Sequence, residues 1–500
     1  MFRTPLLCLL SAFLWAQDII PTVSAESIQC GNPSLFSKPR VFILSDILNE
    51  PDDSMSLVRL LVYSNQIDIC GLCATTSFFL RNTTHPEEMK KIVSAYGMVV
   101  GNLNQHVSAD FQFKSSDELL SLVTSGPTVY GMEALNSTLS EGAKLLIEKL
   151  EESSDPLHVS LWGGANTLAQ ALQHIHAEKS PSDAALLRSR LRVYAISDQD
   201  GTGTWIQSQW PDIFYISSMH GFLEFGDATW TGVNTNANGL ANTTKITDEW
   251  ITPNIRVGPL GATYPLIEFN MEGDTPSFLW LIQNGLSATE QPELGGWGGR
   301  YSQVVDVDGI NWYGNSLDAL TLSDGTSYSS IQATIWRWRD AMQDDFAARM
   351  QWTLNQSVSA VAHPPLVSVN GSAGPEVLRF DLKANQSIIL DGESTCDADH
   401  PEVLSQLDFE WFEYPAAQVY PPQPSGLFIQ PLASPSGTNG VLSLNEAGFA
   451  NVTLGSRVEV SVEDSAFTDG KEWQVVLQVR TKKGPHPIRR YKRIIITTKA

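Results

Sequence analysis

The sequence predicts an α/β protein built on a doubly wound, mostly parallel sheet, followed by an all-β immunoglobulin-like sandwich. Three observations carry this. Short continuous apolar runs alternate with helical spacing through the first three-quarters of the chain, the rhythm of β-α-β units whose strands are covered on both faces. Helical periodicity stops after His363-Pro364-Pro365. Short alternating runs separated by turn residues then continue to the C-terminus, the pattern of a sandwich.

The elements follow in order. Val41–Leu44 reads as a buried strand, and the segment from Asp53 to Tyr63 has helical spacing at Met55, Leu57, Val58, Leu61 and Val62. Ile67 to Thr75 is the next strand, with helices from Pro86 to Val100 and from Leu139 to Glu152. Leu157 to Trp162 is another strand, opening a helix from Asn166 to His176, and Leu191 to Ile196 and Ile213 to Ile216 continue the series. The stretch from 222 to 275 is rich in Gly, Asn and Thr and reads as loops over a site. Thr334 to Leu354 reads as a closing helix. Beyond it, strands are expected at Val377–Leu382, Ser387–Leu390, Leu407–Phe412, Arg457–Val462, Trp473–Val479 and Arg489–Thr497. The expected organisation is a leader at 1–25, an α/β domain at 38–362 and a sandwich at 366–500.

Composition narrows the function classes. The chain has 500 residues, 55 acidic and 32 basic, for a net charge of −23. That excess of acid argues against nucleic acid as partner and against an anionic membrane surface. Arg3, the apolar run Leu6 to Trp15 and the small residues Val23-Ser24-Ala25 have the form of a secretory leader. No later stretch is long and apolar enough to span a bilayer. Sequons at Asn82, Asn136, Asn242, Asn355, Asn370, Asn385 and Asn451 fit a secreted glycoprotein. Removing Cys8 with the leader leaves Cys30, Cys70, Cys73 and Cys396, whose three pairings stay open. Cys70 and Cys73 have CxxC spacing inside a strand, with no second CxxC and no nearby His; buried thiols or a disulfide are expected rather than zinc. The last 21 residues concentrate a quarter of the 32 lysines and arginines. Solvated strand faces are the expected role, with contact to a polyanion as the alternative.

The chemistry points to the segment Leu44-Ser45-Asp46-Ile47-Leu48-Asn49-Glu50-Pro51-Asp52-Asp53, where the first strand ends and the first helix begins. In open α/β sheets ligands bind outside the carboxyl ends of the strands. At about 4 Å and an effective dielectric constant near 20, each pair of like charges costs about 4 kcal/mol. A helix N-terminus accommodates one or two acids, not the four found here. A hard cation with oxygen ligands accounts for the cluster, and Ca²⁺ is the natural choice. A second acidic loop holds Glu268, Glu272 and Asp274, and a third strand end carries Trp162-Gly163-Gly164-Ala165-Asn166. Thr76 and Ser77 end the second strand as candidate sugar contacts. His85, His106 and His220 have no partner identifiable from sequence.

Taken in this order, Asp46, Asp52, Asp53, the Gly-Gly-Ala-Asn turn and Asp274 resemble the nucleoside hydrolases. More closely, the chain resembles the branch labelled cellulose-binding proteins with a nucleoside-hydrolase-like domain. Trp162-Gly-Gly-Ala-Asn-Thr-Leu-Ala-Gln170, Gly273-Asp-Thr-Pro-Ser-Phe-Leu279, Gly295-Gly-Trp-Gly-Gly-Arg-Tyr301 and Trp336-Arg-Trp-Arg339 carry that likeness. The stretch Ile389 to Asp399, followed by Leu407 to Trp411, is similar to the start of PKD-type sandwich modules.

The resemblance implies a secreted, Ca²⁺-dependent hydrolase of a glycosyl bond, acting on a nucleoside or carbohydrate, cell-wall polysaccharide included. It implies Asp46, Asp53, Asp274 and the Asn166 carbonyl as calcium ligands, Asp46 and Asp52 as catalytic residues, and Asp52 on the sugar hydroxyls. Asn49, Glu50, Thr76, Ser77, Trp162, Glu272 and Trp297 complete the expected substrate contacts. Two departures stand out. The Asp46 to Asp53 loop is longer than the family's usual spacing; if that moves Asp46 off the metal, Asn49 or Glu50 is the expected substitute. Gly273 stands where some hydrolases place a His that protonates the leaving base, so stacking by Trp162, Trp230 or Trp297 is the expected substitute. The alternatives are a non-catalytic carbohydrate-binding protein and a cell-surface module with a vestigial enzyme domain.

Overall fold

The computed structural model describes residues 37–354, 357–401, 403–415, 426–433, 439–463, 466 and 468–499. The expected leader at 1–25, Cys30 and the sequon at Asn355 lie outside the described residues. The other acceptor asparagines, Asn82, Asn136, Asn242, Asn370, Asn385 and Asn451, are all exposed. Among the described residues, no helix is long and apolar enough to cross a membrane.

The first strand, β1 (Arg40–Ser45), is buried throughout. Its side chains alternate between two cores. Val41 and Ile43 join the cluster on one face of the sheet, and Phe42 and Leu44 the cluster on the other. This two-sided burial is why the strand reads as a continuous apolar run. Helix α1 (Asp52–Val62) follows, then β2 (Asp68–Ala74), β3 (Val123–Ser125), β4 (Leu157–Leu161), β5 (Leu191–Ala195), β6 (Phe214–Ser217), β7 (Tyr301–Gln303) and β8 (Trp312–Asn315). The sheet order is β3-β2-β1-β4-β5-β6-β8-β7. Every neighbouring pair is parallel except β7 with β8. The order reverses between β1 and β4, and that switch point opens a crevice at the carboxyl ends of the two strands.

Two expectations about helices change. The closing helix is two pieces, Ala333–Trp336 and Arg339–Trp352. Arg337 and Arg339 flank the break and turn to different partners, Asp318 for Arg337 and the Gly232 and Thr235 carbonyls for Arg339. The apolar stretch Phe278 to Ile282 after Asp274, which reads as a helix in the sequence, forms only a short one, Pro276–Leu279. The 222–275 stretch is irregular as expected, built mainly of short 3₁₀ turns.

The C-terminal part holds a six-stranded sheet and a three-stranded sheet. Leu390, Val458 and Val460 of the smaller sheet share one core with Phe409, Trp411, Leu477 and Ile494 of the larger, which makes it a sandwich. Cys70 and Cys73 are free and buried, and Cys396 is disulfide-bonded.

The basic C-terminal strand Arg489–Lys499 corrects both readings of its charge. Arg489, Arg490, Lys492 and Arg493 are buried, so neither a solvated face nor a polyanion surface describes them. The three arginines lock the sandwich onto the α/β part, while Lys492 donates to Ser372 and the Gly374 carbonyl within the C-terminal part. Arg489 donates to Asp344 at 2.8 Å and Arg490 to Asp345 at 2.6 Å, both acceptors on the Arg339–Trp352 helix. Arg493 donates to the carbonyls of Leu286 at 2.8 Å and Gly295 at 2.9 Å. Arg480, Lys482 and Lys483 pair with Asp408 and Asp399 of the sandwich.

Gly285 sits in the middle of this junction with φ +86°. A Cβ there would stand 1.9 Å from the Tyr491 carbonyl oxygen. Gly285→Ala is expected to cost about 1–3 kcal/mol, read as a lower urea midpoint. An unchanged midpoint would mean that the two segments can part without penalty.

Candidate metal and active site

The site is built at the switch point. The Trp162 and Gly163 amides donate to the Leu44 carbonyl at 2.8 and 3.2 Å, tying the end of β4 to the end of β1. Ser45 donates its hydroxyl to Asp53 Oδ1 at 2.5 Å. The turn between them is held by the Asn49 amide on the Asp46 carbonyl, at 3.0 Å. Asp52 and Asp53 occupy the first turn of α1. Asp274 arrives from the loop after the irregular stretch, and the Gly273 amide next to it donates to Asp52.

One carboxylate oxygen each from Asp52, Asp53 and Asp274 lies within 4.8 Å of the other two. All three residues are buried. They line a cavity of about 70 Å³ together with Asp46, Glu50, Asn49, Asn270, Trp162 and Trp230, which leaves room for a cation and a handful of waters. No lysine or arginine lines this cavity among the described residues. The electrostatics follow. Burial, then the charges of Glu50 and Asp46, raises the Asp52 pKa to about 7. Burial, then Asp46 and Asp52, holds Asp53 well above the ordinary carboxylate range. Burial, then Asp53 and Asp52, does the same to Asp274. Burial raises Asp46 to about 6, a hydrogen bond from Ser77 offsetting part of the rise. Among the described residues, Asp46 Oδ2 and Asp274 Oδ2 are buried without a hydrogen-bond donor. Converging anionic oxygens, no neighbouring cation and free acceptor positions are the donor set of a hard divalent ion. The residues therefore fit Ca²⁺.

The expected residues divide into three groups. Asp52, Asp53 and Asp274 come together as a cluster with the geometry to hold a metal ion. Asp46 lines the same cavity but lies outside this three-carboxylate cluster. Asn49, Glu50 and Trp162 line the cavity, Trp162 fixed by its Nε1 donating to Ser277 Oγ at 2.8 Å. Asn166, Thr76 and Ser77 support the wall from behind. The Asn166 amide donates to Thr76 Oγ1 at 2.7 Å and to the Val129 carbonyl at 2.9 Å, and Ser77 holds Asp46.

Two expected contacts lie elsewhere. Glu272 forms a buried ion pair with Arg59 at 2.6 Å and accepts from Tyr264 and Thr275. Trp297 is fully buried and packs edge-on against Tyr491 of the sandwich. Both are adjacent in sequence to site-like motifs but spend their polar atoms on packing partners.

Gly273 is where the departure from the hydrolases becomes physical. A Cβ at 273 would meet Asp52 Oδ2 and the Trp230 ring, each at 2.8 Å. Trp230 therefore occupies the space a histidine would need, with its Nε1 donating to Ser197 Oγ at 3.1 Å. His220 in turn bonds Ser197 at 2.6 Å. Phe79, Phe225, Ser197, Gln199 and Asn270 complete the wall and were not singled out from sequence. Ser197 and Gln199 follow the end of β5, so the carboxyl-end rule was the available signal.

The family model described as "Cellulose-binding Sde182, nucleoside hydrolase-like domain" matches residues 40–301. A second, "Cellulose-binding protein Sde0182, C-terminal domain", matches residues 387–498. Among solved structures, a nucleoside hydrolase-related hypothetical protein from Saccharophagus degradans, described as associated with carbohydrate metabolism, is similar at 27% identity and TM-score 0.72, covering 93% of this chain and 100% of its own. The AggA fimbrial subunit from Escherichia coli covers 28% of this chain at 10% identity, and its TM-score of 0.17 carries no argument. No curated protein matches the chain.

Proposed function

Because this chain belongs to the family of the cellulose-binding, nucleoside hydrolase-like Sde182 domain, we propose that it is a secreted, carbohydrate-associated protein whose switch-point site hydrolyses a glycosyl bond with the help of Ca²⁺. One observation supports this most: Asp46, Glu50, Asp52, Asp53 and Asp274 line one small cavity with no basic residue among the described lining residues. Asp52, Asp53 and Asp274 would hold the ion. Bound there, calcium supplies positive charge that orients a water and the sugar hydroxyls.

The chain's own residues do the rest. Asp46, with a pKa of about 6 and a free Oδ2, takes the proton from the attacking water. The remaining carboxylates favour the positive charge that develops on the sugar ring as the bond breaks. Trp230, Phe79 and Phe225 wall the cleft against bulk water and offer apolar faces to the ring. Position 273 supplies no proton to the leaving group, which departs as its anion and takes its proton from solvent. That same feature favours the second reading, a binding site that holds carbohydrate without cleaving it.

The two readings separate in one experiment. EDTA-stripped and calcium-reloaded protein are compared on p-nitrophenyl riboside and on nucleosides, with retention on cellulose measured in parallel. Calcium-dependent turnover is expected. No turnover in either state, together with retention on cellulose, would replace hydrolysis with binding.

A further inference from the structure

A second cavity lies away from the carboxylate cluster, where the α/β part meets the sandwich. Its volume is about 420 Å³, and its walls include the Arg339–Trp352 helix, the 283–285 segment and the strand Arg489–Lys499. That size is in the range of small-molecule sites. Neither the proposed hydrolysis nor the calcium site uses it.

Its charge is unbalanced. Arg349 and Arg490 both pair with the one buried carboxylate of Asp345, at 3.1 and 2.6 Å. Each keeps an Nη2 that is buried and has no acceptor among the described residues. Asp399, the acid that lines the cavity itself, is already matched by Lys483 at 2.9 Å. Among the arginines, Lys483 and the two acids, one positive charge is left over beside the cavity, and burying it without a counter-ion is costly.

Three further groups of the lining also lack partners among the described residues: Asn284 Nδ2, Gln66 Oε1 and His106 Nε2. Their polarity can be read. Asp399 can only accept, so the proton between it and His363 is carried on Nδ1, at 2.8 Å; in that tautomer the His363 Nε2 accepts from His106 Nδ1 at 3.0 Å. His106 Nε2 is then an acceptor. The cavity therefore presents donors from Arg349, Arg490 and Asn284, and acceptors from His106 and Gln66. Arg349, Arg490, Asn284 and His106 are each more than nine-tenths buried. A bare anion satisfies the donors and leaves the acceptors empty. A neutral sugar leaves the charge uncompensated.

We infer that this interdomain cavity binds a hydroxylated carboxylate of about one sugar ring, with its carboxylate on Arg349 and Arg490 and its hydroxyls donating to His106 and Gln66. Because both parts of the chain contribute, the ligand strengthens their docking and raises the melting temperature of the intact protein.

The test uses the full chain, titrated with D-glucuronate, D-glucose and inorganic phosphate by calorimetry and thermal shift. Glucuronate is expected to bind saturably and raise the melting temperature by several degrees, with glucose and phosphate much weaker. Asn284→Asp supplies the arginines with a carboxylate of its own and keeps the acceptor for the Leu286 amide; it is expected to abolish glucuronate binding. Should that variant not fold, Gln66→Met is expected to weaken glucuronate by about tenfold. Asp53→Asn, which acts at the other site, is expected to leave glucuronate binding intact. Absence of glucuronate binding, an equal response to glucose or phosphate, or full affinity in a folded Asn284→Asp protein would overturn the inference.

Discussion

Asp345→Ala is expected to destabilise the protein by about 3–5 kcal/mol, the usual cost of removing one partner from a buried ion-pair network. Asp345 is fully buried on the Arg339–Trp352 helix. It receives Arg490 at 2.6 Å, Arg349 at 3.1 Å and the Tyr63 hydroxyl at 2.5 Å. Burial alone would raise its pKa, but Arg490 and Arg349 hold it below the ordinary carboxylate value. A depressed folded-state pKa contributes stability above the unfolded value of about 3.9, and that contribution is lost as the pH falls through the folded value. Alanine would leave two guanidiniums without their shared counter-ion and remove one of the two ion pairs that tie the helix to the sandwich strand. Urea unfolding at neutral pH measures it. A change below about 1 kcal/mol would place the docking energy in the apolar contacts around Trp338, Tyr414 and Phe449 instead.

The second large effect concerns calcium. In wild type, calcium after EDTA treatment is expected to raise the melting temperature by several degrees, because an ion that binds only the folded state stabilises it by mass action. Asp53→Asn should remove that rise. In EDTA the same variant is expected to melt at or above the wild-type temperature, since it removes the buried like charge that lifts Asp274 most. Asp46→Asn should behave differently: the calcium-dependent rise stays, because Asp46 is outside the three-carboxylate cluster, while hydrolysis is lost. Loss of the rise in both variants would put Asp46 among the ligands.

What was legible in the sequence was local. β1, the acidic turn and α1 lie within a short stretch, and a continuous apolar run next to helical spacing identifies them without knowledge of the rest. Two edge strands of the sandwich, one in each sheet, were harder. Leu427–Pro431 and Gly440–Leu444 are short and largely exposed, so the alternation that marks a half-buried strand is weak. Non-local pairing was not legible at all. His106 and His363 are 257 positions apart, Arg59 and Glu272 213 apart, and nothing in spacing joins them. Glu272 looked like a site acid because it precedes Asp274 by two residues, yet its backbone at φ +53° aims it at Arg59. The basic C-terminal strand misled for the same reason: a run of arginines reads as surface until Asp344, Asp345 and the Leu286 carbonyl are found beside it. At 273 the sequence recorded a missing histidine, and only the packing of Trp230 against Asp52 gives the reason.

The most direct test is calorimetric titration of calcium into EDTA-stripped protein. One ion per chain is expected for wild type and none for Asp53→Asn or Asp274→Asn. No binding to wild type, or undiminished binding to both variants, would contradict a cation site formed by Asp52, Asp53 and Asp274.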